Sequence, residues 1–193
     1  MIRYKEESYE VFSLSLYDAR NSSSVLEKIK KSRAWYSARV RKDVGDGKYR
    51  SVKMPRVRQA RILDPNRATK IYDDFDRRVD LIVKPLVKRI WHANLSTHTG
   101  TQFIRYSPNG HYEAHTDSGL DLQERYFSVL CYLNDDFEGG HTTFPYLGYE
   151  AIPKRGQAII FPSSYMHCAE PVLQGEKFVA LTWVTGPVPV DWL

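Results

Sequence analysis

Residues 102–107 (QFIRYS), 125–133 (RYFSVLCYL) and 177–184 (KFVALTWV) are the stretches that decide the fold. They are short and rich in Phe, Tyr, Ile, Val and Thr, the residue types that favour extended strands. Residues 141–146 (HTTFPY) and 157–162 (QAIIFP) have a similar composition, and segments containing Pro, Asn, Asp and Gly separate the runs. Short strands divided by such turns predict an antiparallel barrel or sandwich of the jelly-roll kind.

The first hundred residues predict helices. Residues 21–24 (NSSS) are good N-cap types, and they precede an amphipathic pattern in residues 25–36. Asp64 and Pro65 predict the start of a longer helix, in which apolar side chains recur every three or four residues. Pro85 lies within this pattern and should bend the helix or divide it in two.

Together these patterns predict a single α+β domain over residues 1–193. Residues 101–193 would form the jelly-roll core. Residues 1–100 would supply supporting N-terminal helices and a basic loop. The sequence contains no internal repeat, low-complexity segment or linker that would divide the chain.

Composition excludes several classes of protein. Hydrophobic residues make up 42% and charged residues 26% of the chain, as in soluble globular proteins. No apolar run approaches the ~20 residues of a membrane span, and the charged N-terminus lacks the apolar region of a secretory signal. Cys131 and Cys168 are too few for a disulfide framework. We therefore expect a cytoplasmic protein with reduced thiols and no membrane association.

The positive charge is concentrated in one segment. Residues 39–61 contain nine Lys or Arg against Asp43 and Asp46, which gives +7, whereas the whole chain has a net charge of +5. Residues 42–58 predict a loop or a loose hairpin. The segment could attract an anionic substrate or nucleic acid, or close over a site as a lid. A solvated basic loop is the simpler interpretation, because no recognised nucleic-acid motif occurs in it.

His115-Thr116-Asp117 is the first candidate for chemistry. Residues i and i+2 of a strand face the same side, so this imidazole and carboxylate can reach one point. With one more imidazole they would form the two-His-one-carboxylate set of non-haem Fe(II) sites. His167 follows an apolar strand 50 residues after Asp117 and could supply that imidazole.

Lys177 is the second candidate. It begins the apolar run 177–184, where an ammonium group must either extend to the rim or meet a negative charge. A dicarboxylate bound with one end on the metal would provide that charge.

Residues 102–183 resemble the catalytic domain of the prolyl 4-hydroxylase-like branch of the Fe(II)/2-oxoglutarate dioxygenases. The resemblance lies in three ordered blocks, RYSPNGHYEAHTD, YLNDDFEGGHTTFP and PKRGQAIIFPSSYMHCAEPVLQGEKFVALTW. His141 departs from the pattern, because the family commonly has Glu there. The resemblance implies a double-stranded β-helix that uses Fe(II), 2-oxoglutarate and O₂, with ascorbate as reductant.

The resemblance also implies roles for individual residues. Three of them would bind iron: His115, Asp117 and His167. Three others would bind 2-oxoglutarate, with Lys177 pairing with its distal carboxylate, Tyr106 hydrogen-bonding the same group and Thr142 lining the pocket. His111 and His141 are interpreted as residues of the rim, because the metal set is already complete without them.

For the reaction, the resemblance implies hydroxylation of an unactivated C–H bond with release of succinate and CO₂. The favoured substrate is a small molecule, such as a free amino acid or a natural-product intermediate, and the charge of the basic segment would suit one with an anionic group. A peptidyl-prolyl substrate is the alternative. Oxidative demethylation of nucleic acid is less favoured, because those relatives usually anchor 2-oxoglutarate through arginine. A binding module without activity is disfavoured, since the triad and the lysine are all present.

Overall fold

The computed structural model describes residues 2–95, 97–119, 122 and 124–186. Antiparallel strands predominate in this part of the chain, and three α-helices accompany them. The strands before residue 100 are β1 Tyr4–Ser8, β2 Val11–Ser15, β3 Trp35–Ser37, β4 Val40–Asp43, β5 Tyr49–Val52, β6 Arg58–Gln59, β7 Arg61–Leu63 and the start of β8 Thr97–Tyr106. The later strands are β9 His111–His115, β10 Arg125–Tyr132, β11 Glu138–Gly139, β12 Thr142–Phe144, β13 Tyr149–Ala151, β14 Gln157–Pro162, β15 His167–Ala169, β16 Val172–Gln174 and β17 Lys177–Thr185.

Two sheets form the barrel. The major sheet has the strand order β1-β2-β14-β10-β17-β8-β7-β3, and the minor sheet has the order β13-β12-β15-β9-β6. The pairs β4–β5 and β11–β16 are separate two-stranded ribbons. This arrangement confirms the predicted α+β class with a jelly-roll core.

The central strands of the major sheet are apolar along their whole length because both of their faces are buried. On β10, Phe127 and Val129 face the helices, whereas Leu130 and Tyr132 face the minor sheet. Successive side chains of a strand point to opposite faces, so a strand buried on both sides shows no polar alternation. The residues between the two sheets line the interior in which the candidate site lies.

The helices cover the outer face of the major sheet. They are α1 Ala19–Lys31, α2 Thr69–Arg78 and α3 Lys84–Trp91. A π-helical segment, Val79–Val83, joins α2 to α3, and Pro85 lies in the first turn of α3. The helical pattern is therefore interrupted near Pro85, but by this π-helical segment rather than by a break, since the backbone stays helical from Thr69 to Trp91. None of the helices in the described ranges is long and apolar enough to cross a membrane.

Two local predictions for the helices were imprecise. The cap of α1 is Asp18, whose carboxylate accepts a hydrogen bond from the Asn21 backbone N–H at 2.8 Å. Residues 21–24 therefore lie inside the helix rather than before it. Asp64 does cap a helical turn, but this turn is the short 3₁₀ segment Pro65–Arg67, and α2 begins at Thr69.

The first hundred residues do more than support the barrel with helices. They contribute β1, β2, β3 and β7 to the major sheet and β6 to the edge of the minor sheet. The expectation of helices and a loop missed these strands because they are short and carry many polar residues. The basic segment forms the hairpin β4–β5, which turns through Gly45, Asp46 and Gly47, all with positive φ. Its interpretation as a loose hairpin is thus confirmed.

Candidate functional site

Three polar side chains converge at one end of the minor sheet. His115 ends β9 and is the cross-strand partner of His167, the first residue of β15. The Nε2 atoms of these histidines lie 3.6 Å and 3.5 Å from the two carboxylate oxygens of Asp117. All three ligand atoms lie within 4.8 Å of one another, which is close enough to hold one metal ion. The residues predicted as metal ligands are therefore brought together.

Backbone carbonyls orient both imidazoles. Nδ1 of His115 lies 2.7 Å from the Glu113 carbonyl oxygen, and Nδ1 of His167 lies 2.9 Å from that of Tyr165. Because a carbonyl can only accept, Nδ1 of each ring carries the proton and Nε2 keeps its lone pair. Burial lowers the pKa of His167 and so favours the neutral, metal-binding form.

Asp117 is buried, with 6% of its surface exposed, and it is fixed from two sides. Its backbone N–H donates to the Ser163 carbonyl, and the Ser128 hydroxyl donates to Oδ2 at 2.7 Å. Burial alone would raise the pKa of Asp117, but His167, His115 and the Ser128 hydroxyl outweigh it and hold the pKa below its usual range. The carboxylate is therefore ionised at neutral pH and places a negative charge between two imidazoles.

A bulge in β9 brings Tyr112 to the same face as His115. Tyr112 pairs with Ala169 and His115 with His167, so two residues of β9 face one residue of β15 between these pairs. This extra residue changes the phase of the strand. The Tyr112 ring stacks on His115 with 3.6 Å between the ring centroids. Regular alternation would have placed these two side chains on opposite faces, which is why sequence spacing could not predict the contact.

Lys177 is a buried cation in the same interior. It is 1% exposed, and its Nζ donates to the Gly140 carbonyl at 2.6 Å. Nζ also lies 5.1 Å from the Tyr106 ring centroid and 5.6 Å from that of Tyr132. Glycine is needed at position 140 because the backbone is closely packed there: a Cβ would lie only 2.9 Å from Val172. Burial lowers the pKa of Lys177 to about 7.

The other predicted co-substrate residues lie beside this lysine. Tyr106 is the cross-strand partner of Lys177 and is buried. Thr142 is also buried, and its hydroxyl accepts a hydrogen bond from Tyr132 at 2.8 Å. Tyr132 was not among the predicted site residues. Its position in β10, two residues after the inward-facing Leu130, is the signal that could have identified it.

The interior contains buried hydrogen-bond donors that are not fully satisfied. Within the described part of the chain, no carboxylate forms an ion pair with Lys177, whereas Arg105 is paired with Glu176. The indole Nε1 of Trp183, a cross-strand neighbour of Ser128, is buried without a hydrogen-bond partner. Buried polar groups are normally satisfied, so these donors fit an anionic occupant of the barrel. The donor set near Asp117 likewise fits a divalent metal such as Fe(II).

The three sequence blocks that resemble the family contain two further histidines, His111 and His141, which contact other residues. Both ring nitrogens of His111 lie within hydrogen-bond distance of backbone carbonyls, those of Asn109 and Arg56. His141 contacts the carboxylate of Glu150 on β13. Neither histidine belongs to the metal-binding group found in the described residues. Their interpretation as rim residues agrees with these contacts.

A His-Asp-His set at one end of a double-stranded β-helix, with a buried lysine in its interior, is the arrangement of a non-haem iron oxygenase. Residues 101–185 match the family model of the 2OG-Fe(II) oxygenase superfamily. In these residues the chain is similar to the 2OG-Fe(II) oxygenases, which use Fe(II), 2-oxoglutarate and O₂. It resembles the prolyl 4-hydroxylase-like branch, as the sequence blocks predicted.

Individual relatives agree with this assignment. A putative prolyl 4-hydroxylase of Acanthamoeba polyphaga mimivirus is 33% identical over 127 residues, which cover 53% of this chain and 52% of the viral protein. The chain spans about half the length of the curated relatives that it matches.

Solved structures share the fold at low sequence identity. A Pseudomonas putida prolyl-4-hydroxylase superposes with a TM-score of 0.72 at 17% identity, and the match covers 93% of this chain and 94% of the other. A Trichoplax adhaerens prolyl hydroxylase in complex with a hypoxia inducible factor peptide superposes with a TM-score of 0.75 at 16% identity, covering 91% and 83%.

Proposed function

We propose that the protein is an Fe(II)/2-oxoglutarate-dependent dioxygenase that hydroxylates an unactivated C–H bond and releases succinate and CO₂. One observation carries this proposal: the same barrel interior contains a carboxylate held between two imidazoles and a buried ammonium group without a carboxylate partner in the described residues. The first suits a metal cation and the second suits a dicarboxylate. The match of residues 101–185 to the 2OG-Fe(II) oxygenase superfamily model supports the same conclusion.

In this proposal, His115, Asp117 and His167 hold the iron, which supplies the oxidising chemistry once 2-oxoglutarate and O₂ are bound. Lys177 pairs with the distal carboxylate of 2-oxoglutarate, and the Tyr106 hydroxyl donates to the same group. Thr142 lines this part of the pocket together with Tyr132.

Apolar side chains between the sheets, including Ile104, Leu130 and Phe161, keep bulk water away from this pocket. A dry interior strengthens the ion pair with Lys177, because electrostatic interactions grow as the dielectric constant falls. The dry interior also restricts the bound co-substrate to the position that is determined by the three metal ligands and Lys177.

For the substrate, we favour a small molecule that carries a carboxylate, such as a free amino acid. A cavity of about 300 Å³ adjoins the edge of the minor sheet, and its charged lining residues are Lys53, Arg58, Arg61 and Arg105. Pockets of a few hundred Å³ suit small ligands, and a lining with only cationic charges suits an anionic one.

A prolyl residue in a peptide or protein is the second candidate. The mimivirus relative is named a putative prolyl 4-hydroxylase, and the Trichoplax structure contains a peptide. An open groove of about 580 Å³ also passes Ser118 and Gly119, directly after Asp117, and its walls include Trp91 and Tyr126. Such a groove could accept an extended chain beside the metal.

The test is a substrate screen with purified protein, Fe(II), 2-oxoglutarate, ascorbate and O₂. The panel contains free L-amino acids and blocked prolyl peptides, and the readouts are succinate and a product heavier by one oxygen atom. Oxygenated product from a free amino acid supports the first candidate, and oxygenated product from a blocked peptide supports the second. If the protein forms no succinate from 2-oxoglutarate with any substrate or without one, the proposed function is wrong.

A further inference from the structure

Among the nine Lys and Arg side chains of residues 39–61, Arg58 is the buried one, and its guanidinium group lies inside the barrel. It lies on β6 as the cross-strand partner of Tyr112, at the edge of the minor sheet. Only 8% of its surface is exposed, whereas Arg56 and Arg61 on either side are exposed. Its Nη2 donates to the Gln102 side chain of β8 at 3.1 Å, so the guanidinium group lies across the gap between the two sheets.

The hydrogen-bonding capacity of this guanidinium group is incompletely used. Nη1 reaches the Arg39 carbonyl only at 3.4 Å, and the buried Nε has no hydrogen-bond partner. Among the described residues, no carboxylate forms an ion pair with Arg58. A guanidinium group has five N–H donors in a planar fork that matches a carboxylate. Burying such a charge without an anion is costly, which indicates that a ligand supplies the anion.

Arg58 is also close to the candidate metal centre. Its Cζ lies 4.7 Å from the centroid of the Tyr112 ring, and that ring stacks on His115. Arg58 and the candidate metal ligand His115 therefore both contact the Tyr112 ring. Burial raises the pKa of Tyr106, and the charge of Arg58 and a hydrogen bond with it oppose this shift, so Arg58 lies beside the Tyr106 hydroxyl.

The other cations around the 300 Å³ cavity are already engaged or exposed. Arg105 is paired with Glu176, and Arg61 is exposed to solvent. Lys53 is exposed to solvent. Arg58 is thus the buried lining cation that retains an unused donor.

We propose that Arg58 binds the carboxylate of the substrate and thereby selects an acid over the corresponding amide. This inference rests on the proposed function, because it gives Arg58 the task of holding the substrate while the iron reacts with it. The substrate class is a small organic acid, with the α-carboxylate of a free amino acid as the first choice. Tyr112, which contacts both Arg58 and His115, would limit how the rest of the substrate can approach.

The experiment compares acids with amides. The probes are the common L-amino acids, their C-terminal amides, and short prolyl peptides with a free or an amidated C-terminus, each assayed for stimulated succinate formation. For the parent protein we expect kcat/KM to be at least about tenfold higher for an acid than for its amide, the size of a lost charge-assisted hydrogen bond. In Arg58→Gln this ratio should fall to about one. Arg58→Lys, which keeps the charge but loses the fork, should recover part of it.

Arg56→Gln is the matched control, because Arg56 lies two residues before Arg58 but is exposed and does not line this cavity. It should keep the acid-over-amide ratio of the parent. Thermal unfolding of each variant reports any purely structural role of Arg58. A lower Tm with an unchanged ratio would mean that Arg58 only joins the two sheets, and the inference would be wrong.

Three further outcomes also overturn the inference: a parent protein that does not discriminate acid from amide, an Arg56→Gln variant that loses the ratio equally, and no stimulation by any acid. Preference for a free C-terminus among peptides, without stimulation by amino acids, would reassign the carboxylate to a peptide end and overturn the small-acid assignment. Conversion of 2-oxoglutarate to succinate by the parent protein without added substrate separates these failures from a failure of the proposed function.

Discussion

The barrel interior contains two polar regions that differ in how their charges are satisfied. In the metal region, formed by His115, Asp117 and His167, the carboxylate accepts a hydrogen bond from Ser128 and lies against two imidazoles. In the lysine region, formed by Lys177 with Tyr106, Tyr132 and Thr142, the ammonium group donates to one backbone carbonyl. No carboxylate of the described residues pairs with it.

This difference indicates that each region suits a ligand whose charge is opposite to its own, a cation in the metal region and an anion in the lysine region. The pKa of Asp117 lies below its usual range, so the metal region keeps its negative charge throughout neutral pH. The pKa of Lys177 is about 7 because burial disfavours the charged form, so the lysine region is only partly charged until an anion binds. If this comparison is correct, changes in one region should affect the metal and changes in the other should affect 2-oxoglutarate.

Replacement of Asp117 by Ala should have the largest effect. It removes the only carboxylate of the metal region, and we expect Fe(II) binding and succinate formation to fall below detection, a loss of more than about a thousandfold. Equilibrium dialysis with Fe(II) under anaerobic conditions measures the first quantity. Glu113→Gln is the control, because this exposed carboxylate lies on the same strand but outside the metal region. Full activity of Asp117→Ala would mean that the metal lies elsewhere.

Replacement of Lys177 by Met should weaken 2-oxoglutarate instead. The variant keeps an apolar stem of similar length and loses a charge-assisted contact of ~1.5–3 kcal/mol, so the Kd for 2-oxoglutarate should rise about 10- to 100-fold. Fe(II) affinity without 2-oxoglutarate should stay within about twofold. The folded protein should tolerate this change, since it removes an unpaired buried charge.

Calorimetric titration of the iron-loaded protein with 2-oxoglutarate measures the Kd of the Lys177→Met variant. The matched control is Lys154→Met at an exposed lysine. Parent-like affinity in Lys177→Met would show that another group anchors the distal carboxylate. A large loss of Fe(II) affinity would show instead that the two regions are not separate.

The lysine region should also make 2-oxoglutarate binding depend on pH. Below about pH 7, Lys177 of the ligand-free protein is protonated and ready to pair. Above that pH it is neutral, so binding must first add a proton, and affinity should fall by up to about tenfold per pH unit. Titrations in buffers of different ionisation enthalpy would detect proton uptake at pH 8. Lys177→Met should show neither the slope nor the uptake, and the same slope in both proteins would exclude Lys177 as its cause.

One part of the metal region is local: His115 and Asp117 are two residues apart, although Asp117 lies just beyond the end of β9. His167 is brought beside them by the pairing of β15 with β9, and it was assigned through the resemblance to the family. Lys177 was predictable because a charge that begins an apolar strand needs a partner. Strands β10, β14 and β17 were also predictable, because their buried faces make the sequence apolar along most of each strand.

Features that depend on long-range pairing were not predictable. The bulge that places Tyr112 against His115 exists only because β9 pairs with β15. Among nine cations in residues 39–61, nothing in the local sequence indicates that Arg58 is the buried one. Strand β1, YKEES, has an exposed and charged composition and is recognisable as a strand only through its pairing with β2. The division of the chain into a helical part and a catalytic part remains a prediction.

Replacement of Ser128 by Ala should have the smallest effect, and it tests whether the metal region and the lysine region are separate. Ser128 does not contact the metal in our proposal, but its hydroxyl donates to Asp117 Oδ2 and lies 2.9 Å from the Ser163 hydroxyl. Groups that hold a metal ligand in place are typically worth about 10- to 100-fold in metal affinity. Because the histidines and the Ser163 carbonyl still position Asp117, we expect a loss near about tenfold.

The readouts for Ser128→Ala are Fe(II) affinity and 2-oxoglutarate affinity of the iron-loaded protein. Only the first should change, since Ser128 lies in β10 four residues before Tyr132 and contacts Asp117 rather than the lysine region. Ser164→Ala, an exposed hydroxyl next to Ser163, should change neither. If Ser128→Ala weakened 2-oxoglutarate as strongly as Fe(II), the hydroxyl would couple the two regions. The interior would then act as one polar network rather than as two sites of opposite charge.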